Sequence, residues 1–157
     1  MTDQINARLQ GLAQVTQKML GLAPKLRRKG LRKAARQAMN IVRDDAKARA
    51  KALDDPETDE KIWKNIITQE AARLGRQEGG VAMRVGIRGG ASSNQHSKDA
   101  SGNPGGDTRH WRYIEFGTKH TPPAPFMRPA FSSNVNAVVE RFASVLTREI
   151  DAALQEV

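Results

Sequence analysis

Between Asp3 and Leu22 the apolar residues Ile5, Leu9, Leu12, Val15 (or Thr16) and Met19 return every three or four positions, with polar residues between them. That spacing predicts a first amphipathic helix. Pro24 suits a helix start, and from Lys25 to Leu53 the residues Leu31, Ala34, Ala35, Ala38, Ile41, Val42 and Ala46 make a narrow stripe of mostly small side chains. This segment predicts the longest helix, with Gly30 as a point of interruption. The acidic run Asp54-Asp55-Pro56-Glu57-Thr58-Asp59 ends the pattern, because proline disfavours helix in the residue before it and Asp competes for backbone hydrogen bonds.

Ile62, Trp63, Ile66, Ile67, Ala71 and Leu74 return to helical spacing, which predicts a short helix; the β-branched pairs leave a strand open. Val81, Met83, Val85 and Ile87 alternate with Ala82, Arg84, Gly86 and Arg88, the period of a strand with one buried face. From Gly89 to Thr108 there is almost nothing to bury, so the segment reads as a flexible loop. Order resumes at Arg109, and the aromatic residues concentrate between His110 and Phe131. Ser132, Ser133 or Asn134 can cap a final helix whose apolar face is Val135, Val138, Val139, Phe142, Val145, Leu146 and Ile150.

These elements predict an α+β fold: long N-terminal helices, a small antiparallel sheet, and an amphipathic C-terminal helix packed on the sheet. The length of 157 residues predicts a single domain, divided into a helical part at 1–53, a short helix and strand at 54–88, the loop at 89–108, and a closing part at 109–157. Only 38% of residues are hydrophobic, so little apolar surface is available for a deep interior, and subunit contacts are expected to supply part of the stability.

The formal net charge is +9, and much of it falls on the long helix, where Lys25, Arg27, Arg28, Lys29, Arg32, Lys33, Arg36, Arg43, Lys47, Arg49 and Lys51 face only Asp44 and Asp45. Such charge predicts an anionic partner, which charge alone leaves open among nucleic acid, a membrane surface and an acidic protein face. No cysteine is present, which removes disulfides, thiol nucleophiles and thiolate metal sites. No apolar run resembles a signal peptide or is long enough to span a bilayer, so a soluble protein without a membrane partner is expected.

The usual signatures of catalysis are missing. His96, His110 and His120 match no zinc spacing. Ser92, Ser93, Ser97 and Ser101 lie in the loop and outside any G-x-S-x-G elbow. The pairs Gly79-Gly80, Gly89-Gly90 and Gly105-Gly106 belong to no phosphate-binding loop. Glu115 and Asp107 lack a third ligand at fixed geometry, so Glu115 is expected to make a structural salt bridge to Arg112 or Arg128. The chain therefore reads as a non-enzyme without cofactor or metal.

The stretch from Tyr113 to Phe131 carries Tyr113, Glu115, Phe116, Gly117, Thr118, Pro123, Ala124, Pro125, Phe126, Arg128, Pro129 and Ala130 in an order that resembles the tail-completion, or head–tail joining, proteins of long-tailed bacteriophages. Those proteins share an aromatic residue, a Glu-Phe-Gly-Thr-like turn and a Pro-x-Pro-Phe-Arg-Pro-Ala-like segment leading into the last helix. The motif also makes physical sense by itself. Gly117 permits a turn closed to other residues, the prolines stiffen an extended segment, and Phe126 and Phe131 are placed to anchor it in the core.

The resemblance implies a structural virion protein of the neck, assembled in the host cytoplasm, that forms a ring, a hexamer in the expected case. It would complete the head-proximal end of the tail, meeting the tail tube protein, the head connector or head-closure protein, and DNA in the lumen. Arg27, Arg28, Arg32, Lys33, Arg36, Arg109 and Arg112 are the candidate partner or DNA contacts. The competing reading is a basic nucleic-acid-binding protein.

Overall fold

The computed structural model describes residues 15–88 and 102–155. Most of the expected first helix therefore lies outside the described residues, and so do positions 89–101 of the loop. Residues 15–20 are helical. They are followed by α1 (Pro24–Ala52), α2 (Ile62–Asn65), β1 (Ile66–Glu70), α3 (Ala72–Gln77), β2 (Met83–Ile87), α4 (Trp111–Phe116) and α5 (Met127–Gln155). The class is α+β, with β1 and β2 forming a two-stranded sheet. Arg88 N donates to Asn65 O at 2.8 Å and Ala71 N to Ala82 O at 2.9 Å, which fixes an antiparallel register with Gln69 opposite Arg84.

Two compact units are present, one from described residues 15–38, 70–83 and 136–155, the other from 39–69, 84–88 and 102–135. In the first, Leu22, Ala34, Val145, Leu146 and Ile150 are buried together, with Val15, Met19, Leu31 and Phe142 packed against them. Gly30 does not interrupt α1. A Cβ there would stand 3.4 Å from the Glu149 Cβ, an ordinary van der Waals contact, so Gly30 lies where α1 packs against α5. The stripe of small residues continues as Ala34, Ala38, Val42, Ala46 and Ala50, all at most 5% exposed.

The region from Ile62 to Leu74 is not one helix. Ile66–Glu70 is a strand, because Ile66, Ile67 and Thr68 are β-branched and find a partner in Met83–Ile87. Beyond it, α3 closes on a Schellman motif: Gly79 takes φ +67° and donates to Arg76 O, while Gly80 N donates to Gly75 O at 2.8 Å.

Three further expectations are corrected. The last helix begins at Met127, not after Asn134, so Ser132, Ser133 and Asn134 lie inside it. Phe131 is 55% exposed and anchors no core, and Val135 and Val139 on the expected apolar face are also exposed. The loop is not free throughout: Gly105 and Thr108 are buried, and the stretch 102–108 is held in place by Asn65.

Candidate functional site

Asn65 stands at the end of α2, fully buried. Its amide nitrogen donates to Gly106 O at 3.0 Å and to Thr108 Oγ1 at 2.8 Å, and its Oδ1 accepts from Gly105 N at 2.8 Å. Lys61 N donates to Gly105 O at 2.8 Å, and a Cβ on Gly105 would overlap the Lys61 carbonyl oxygen, so only glycine fits. This clamp brings the chain into α4 at a fixed point. Asp107, whose carboxyl the hydrogen-bonded Arg109 guanidinium holds below the usual range, closes a local ion pair there.

From α4 the motif folds back on itself. Gly117 takes φ +77° and ends the helix by donating to Tyr113 O; a Cβ there would stand 2.9 Å from both Pro123 N and Thr121 O. Thr118 N donates to Thr121 O at 2.9 Å, Thr118 Oγ1 accepts from Thr121 N at 3.0 Å, and Ala124 N donates to Ile114 O at 2.8 Å. Pro123 and Pro125 are exposed and bring no N–H that needs a partner.

The turn delivers Phe126 into the interior, 0% exposed, and places the start of α5 against the Glu115 carboxylate. Glu115 Oε2 accepts from Phe126 N at 2.7 Å and Met127 N at 2.9 Å, and Oε1 accepts from Arg128 N at 2.9 Å. Pro129 has no N–H, and Ala130 N makes the first helical bond, to Phe126 O at 3.3 Å. Every donor that a helix start leaves open is thus accounted for by one carboxylate and one proline. Burial would raise the Glu115 carboxyl, but the backbone N–H groups of Met127, Arg128 and Phe126, with the Arg128 guanidinium, outweigh it and hold the group below the ordinary glutamate range. The expected partner Arg128 is therefore the right one, although Glu115 acts chiefly as a helix cap.

Around this buried frame stand Tyr113, Phe116 and Phe131, exposed at 63%, 59% and 55%. The Arg128 guanidinium lies 5.0 Å from the Phe116 ring centroid and that of Arg112 lies 5.6 Å from the Trp111 ring. Phe131 follows Arg128 by one helical turn, on the same side of α5.

The candidate cations separate into two sets. Arg32 pairs with Glu70 at 2.8 Å, Lys33 with Glu149 at 2.6 Å, and Arg109 with Asp107. No described carboxylate pairs with Arg27, Arg28, Arg36 or Arg112. A cavity of about 140 Å³ is lined by Ile62, Ile114 and Phe126 together with Asp54, Glu60 and His110. Among the described residues no group of three or more His, Asp or Glu is placed to hold a metal ion, and no helix is long and apolar enough to cross a membrane.

The sequence motif thus corresponds to one physical object, a capped helix–turn–helix junction, with its polar members inside and several aromatic members outside. The resemblance noted from Tyr113 onward is matched independently at the level of family. A family model describing the bacteriophage HK97-gp10 tail component matches residues 3–117, from the N-terminal region through the Glu115 cap to the Gly117 turn. Neither a curated protein nor a solved structure matches the chain. The chain belongs to the HK97-gp10-like family of bacteriophage tail components.

Proposed function

We propose that this tail component completes the head-proximal end of the tail and joins it to the head connector as a ring of copies, by surface complementarity and without catalysis. It would act in the virion neck after assembly in the host cytoplasm, between the tail tube protein and the connector or head-closure protein. The lumen of such a ring would pass the DNA.

The observation that carries this reading is the division of the motif into a buried frame and an exposed face. Glu115 and Phe126 are fully buried, while Tyr113, Phe116 and Phe131 are more than half exposed on helices that the frame holds in place. Clustered aromatics with arginines beside them are enriched at the centres of protein interfaces. A monomer gains nothing from exposing them.

The test is an assembly assay in extracts of infected cells that lack this protein. Full heads and unjoined tails should accumulate, and the purified protein should convert them to joined particles. A Phe116→Ser/Phe131→Ser variant should fold normally yet fail to join them. Joined particles forming without the protein would overturn the reading.

A further inference from the structure

In the first unit a groove of about 570 Å³ is lined by Arg27 and Arg28 of α1 and Arg76 of α3 together with the apolar residues Met19, Leu31 and Val81. The Schellman turn forms its rim: Gly75 lets residues 80–82 pass within 3.0–3.4 Å of the position its Cβ would take, and beyond Gly79 and Gly80 the space is open. No described carboxylate pairs with the three arginines, whereas Arg32 and Lys33 nearby in sequence are already neutralised by Glu70 and Glu149. The groove is thus a positive site whose three arginines share their lining with apolar side chains.

The same chain carries a segment of opposite character. In the second unit Asp55, Glu57, Asp59 and Glu60 are exposed, and Leu53 beside them is 46% exposed. The segment has a set shape: Glu57 N donates to Asp55 Oδ1 at 2.9 Å, and Thr58 Oγ1 and Lys61 Nζ donate to Asp55 O at 3.1 and 3.0 Å. No described cation pairs with Glu57, Asp59 or Glu60. A preformed acidic turn loses little conformational freedom on docking.

We infer that the Arg27–Arg28–Arg76 groove receives the acidic 53–60 turn of a second copy of this chain. This rests on the ring reading above and names the contact that would build it. Two different surfaces that fit each other make a head-to-tail contact, and such a contact builds a ring when the rotation it imposes closes on itself. The apolar lining favours a protein segment that brings a leucine with its carboxylates over a phosphodiester backbone, whose carbon groups are confined to its sugars.

The test uses two full-length variants with reversed charge: Arg27→Glu/Arg28→Glu/Arg76→Glu in the groove, and Glu57→Lys/Asp59→Lys/Glu60→Lys in the turn. Self-association is followed by sedimentation, alone and on tail tubes lacking the protein, at low and high salt. Each variant alone should associate at least about tenfold more weakly than the unmodified chain, because like charges then face each other. An equimolar mixture should recover association, since each variant then offers the other a complementary surface. The milder Arg76→Gln and Glu57→Gln variants, which leave the fold undisturbed, should each weaken association and reduce its salt dependence.

Association of both triple variants at the unmodified level, with rings still closing on tubes, overturns this contact and leaves the ring reading standing. If the unmodified chain forms no ring on tubes, both fall. A groove variant that assembles normally but loses retention on DNA overturns the inference in favour of a nucleic-acid site.

Discussion

Glu115 and Arg128 are joined three times: Arg128 N and Nε donate to Glu115 Oε1 at 2.9 and 3.2 Å, and Arg128 Nη2 donates to the Glu115 carbonyl oxygen at 2.9 Å. The side chain of one helix thereby closes the start of the next, and the angle between α4 and α5 follows from where the carboxylate sits. Replacing Glu115 by Ala leaves the Phe126 and Met127 N–H groups without acceptors, one of them in a fully buried residue. Each buried donor left open costs about 1–3 kcal/mol, so Glu115→Ala should lower stability by about 2–4 kcal/mol in chemical denaturation. A loss under about 0.5 kcal/mol, the level of an ordinary surface change, would contradict the capping role.

The same carboxylate sets a pH dependence. Its folded-state pKa lies below the unfolded value, so its stabilisation is complete above the unfolded pKa of about 4.3 and is lost as pH falls through the folded pKa. The stability difference between the unmodified chain and Glu115→Gln should therefore be constant near neutrality and shrink below about pH 4.3. Denaturation midpoints of the two proteins across that range check it. A difference that grows on acidification would reverse the sign of the argument.

At Gly117 the backbone is left-handed and a Cβ would meet Pro123 N and Thr121 O at 2.9 Å. Gly117→Ala should cost about 2 kcal/mol or more, of which about 1–2 kcal/mol is backbone strain alone. Gly86 is the control. It lies in β2 with no heavy atom within 4 Å of a Cβ, and Gly86→Ala should be neutral or stabilising by about 0.5 kcal/mol. Thermal midpoints of the two variants should move in different directions or by clearly different amounts.

Asn65 holds the stretch 105–108 by both ends of its amide. Asn65→Ala should destabilise by about 2–4 kcal/mol, since its removal leaves buried polar groups open on the segment it clamps. Hydrogen exchange gives the local reading: the Gly105 amide should lose its protection far more than amides in the middle of α5. Equal loss at both places would mean that Asn65 supports the whole fold and not this clamp.

The helices were legible where burial follows a local period. Ala34, Ala38, Val42 and Ala46 fall four residues apart, and that stripe is the buried one. Ile66 to Thr68 was ambiguous because β-branched residues satisfy both periods, and only pairing with Met83–Ile87 decides for a strand. The start of α5 was misplaced because local rules look for Ser or Asn just before a helix, whereas this cap arrives from Glu115, eleven residues upstream of Phe126. Pro129, three residues into α5 from the Phe126 boundary, was the available signal, since proline belongs to a first helical turn. The Asn65 clamp left no trace in the sequence, because its partners lie 40 or more residues downstream. Of the motif, the buried role of Phe126 was readable from its chemistry, but the exposure of Phe131 was not, since both are aromatic residues within two positions of a proline.

The neck role is tested most directly by electron microscopy, with mass determination, of the purified protein mixed with tail tubes that lack it. A ring of copies seated at one end of each tube is expected, with the tubes becoming competent to join heads. Tubes that stay bare at both ends, beside monomeric protein, would contradict it.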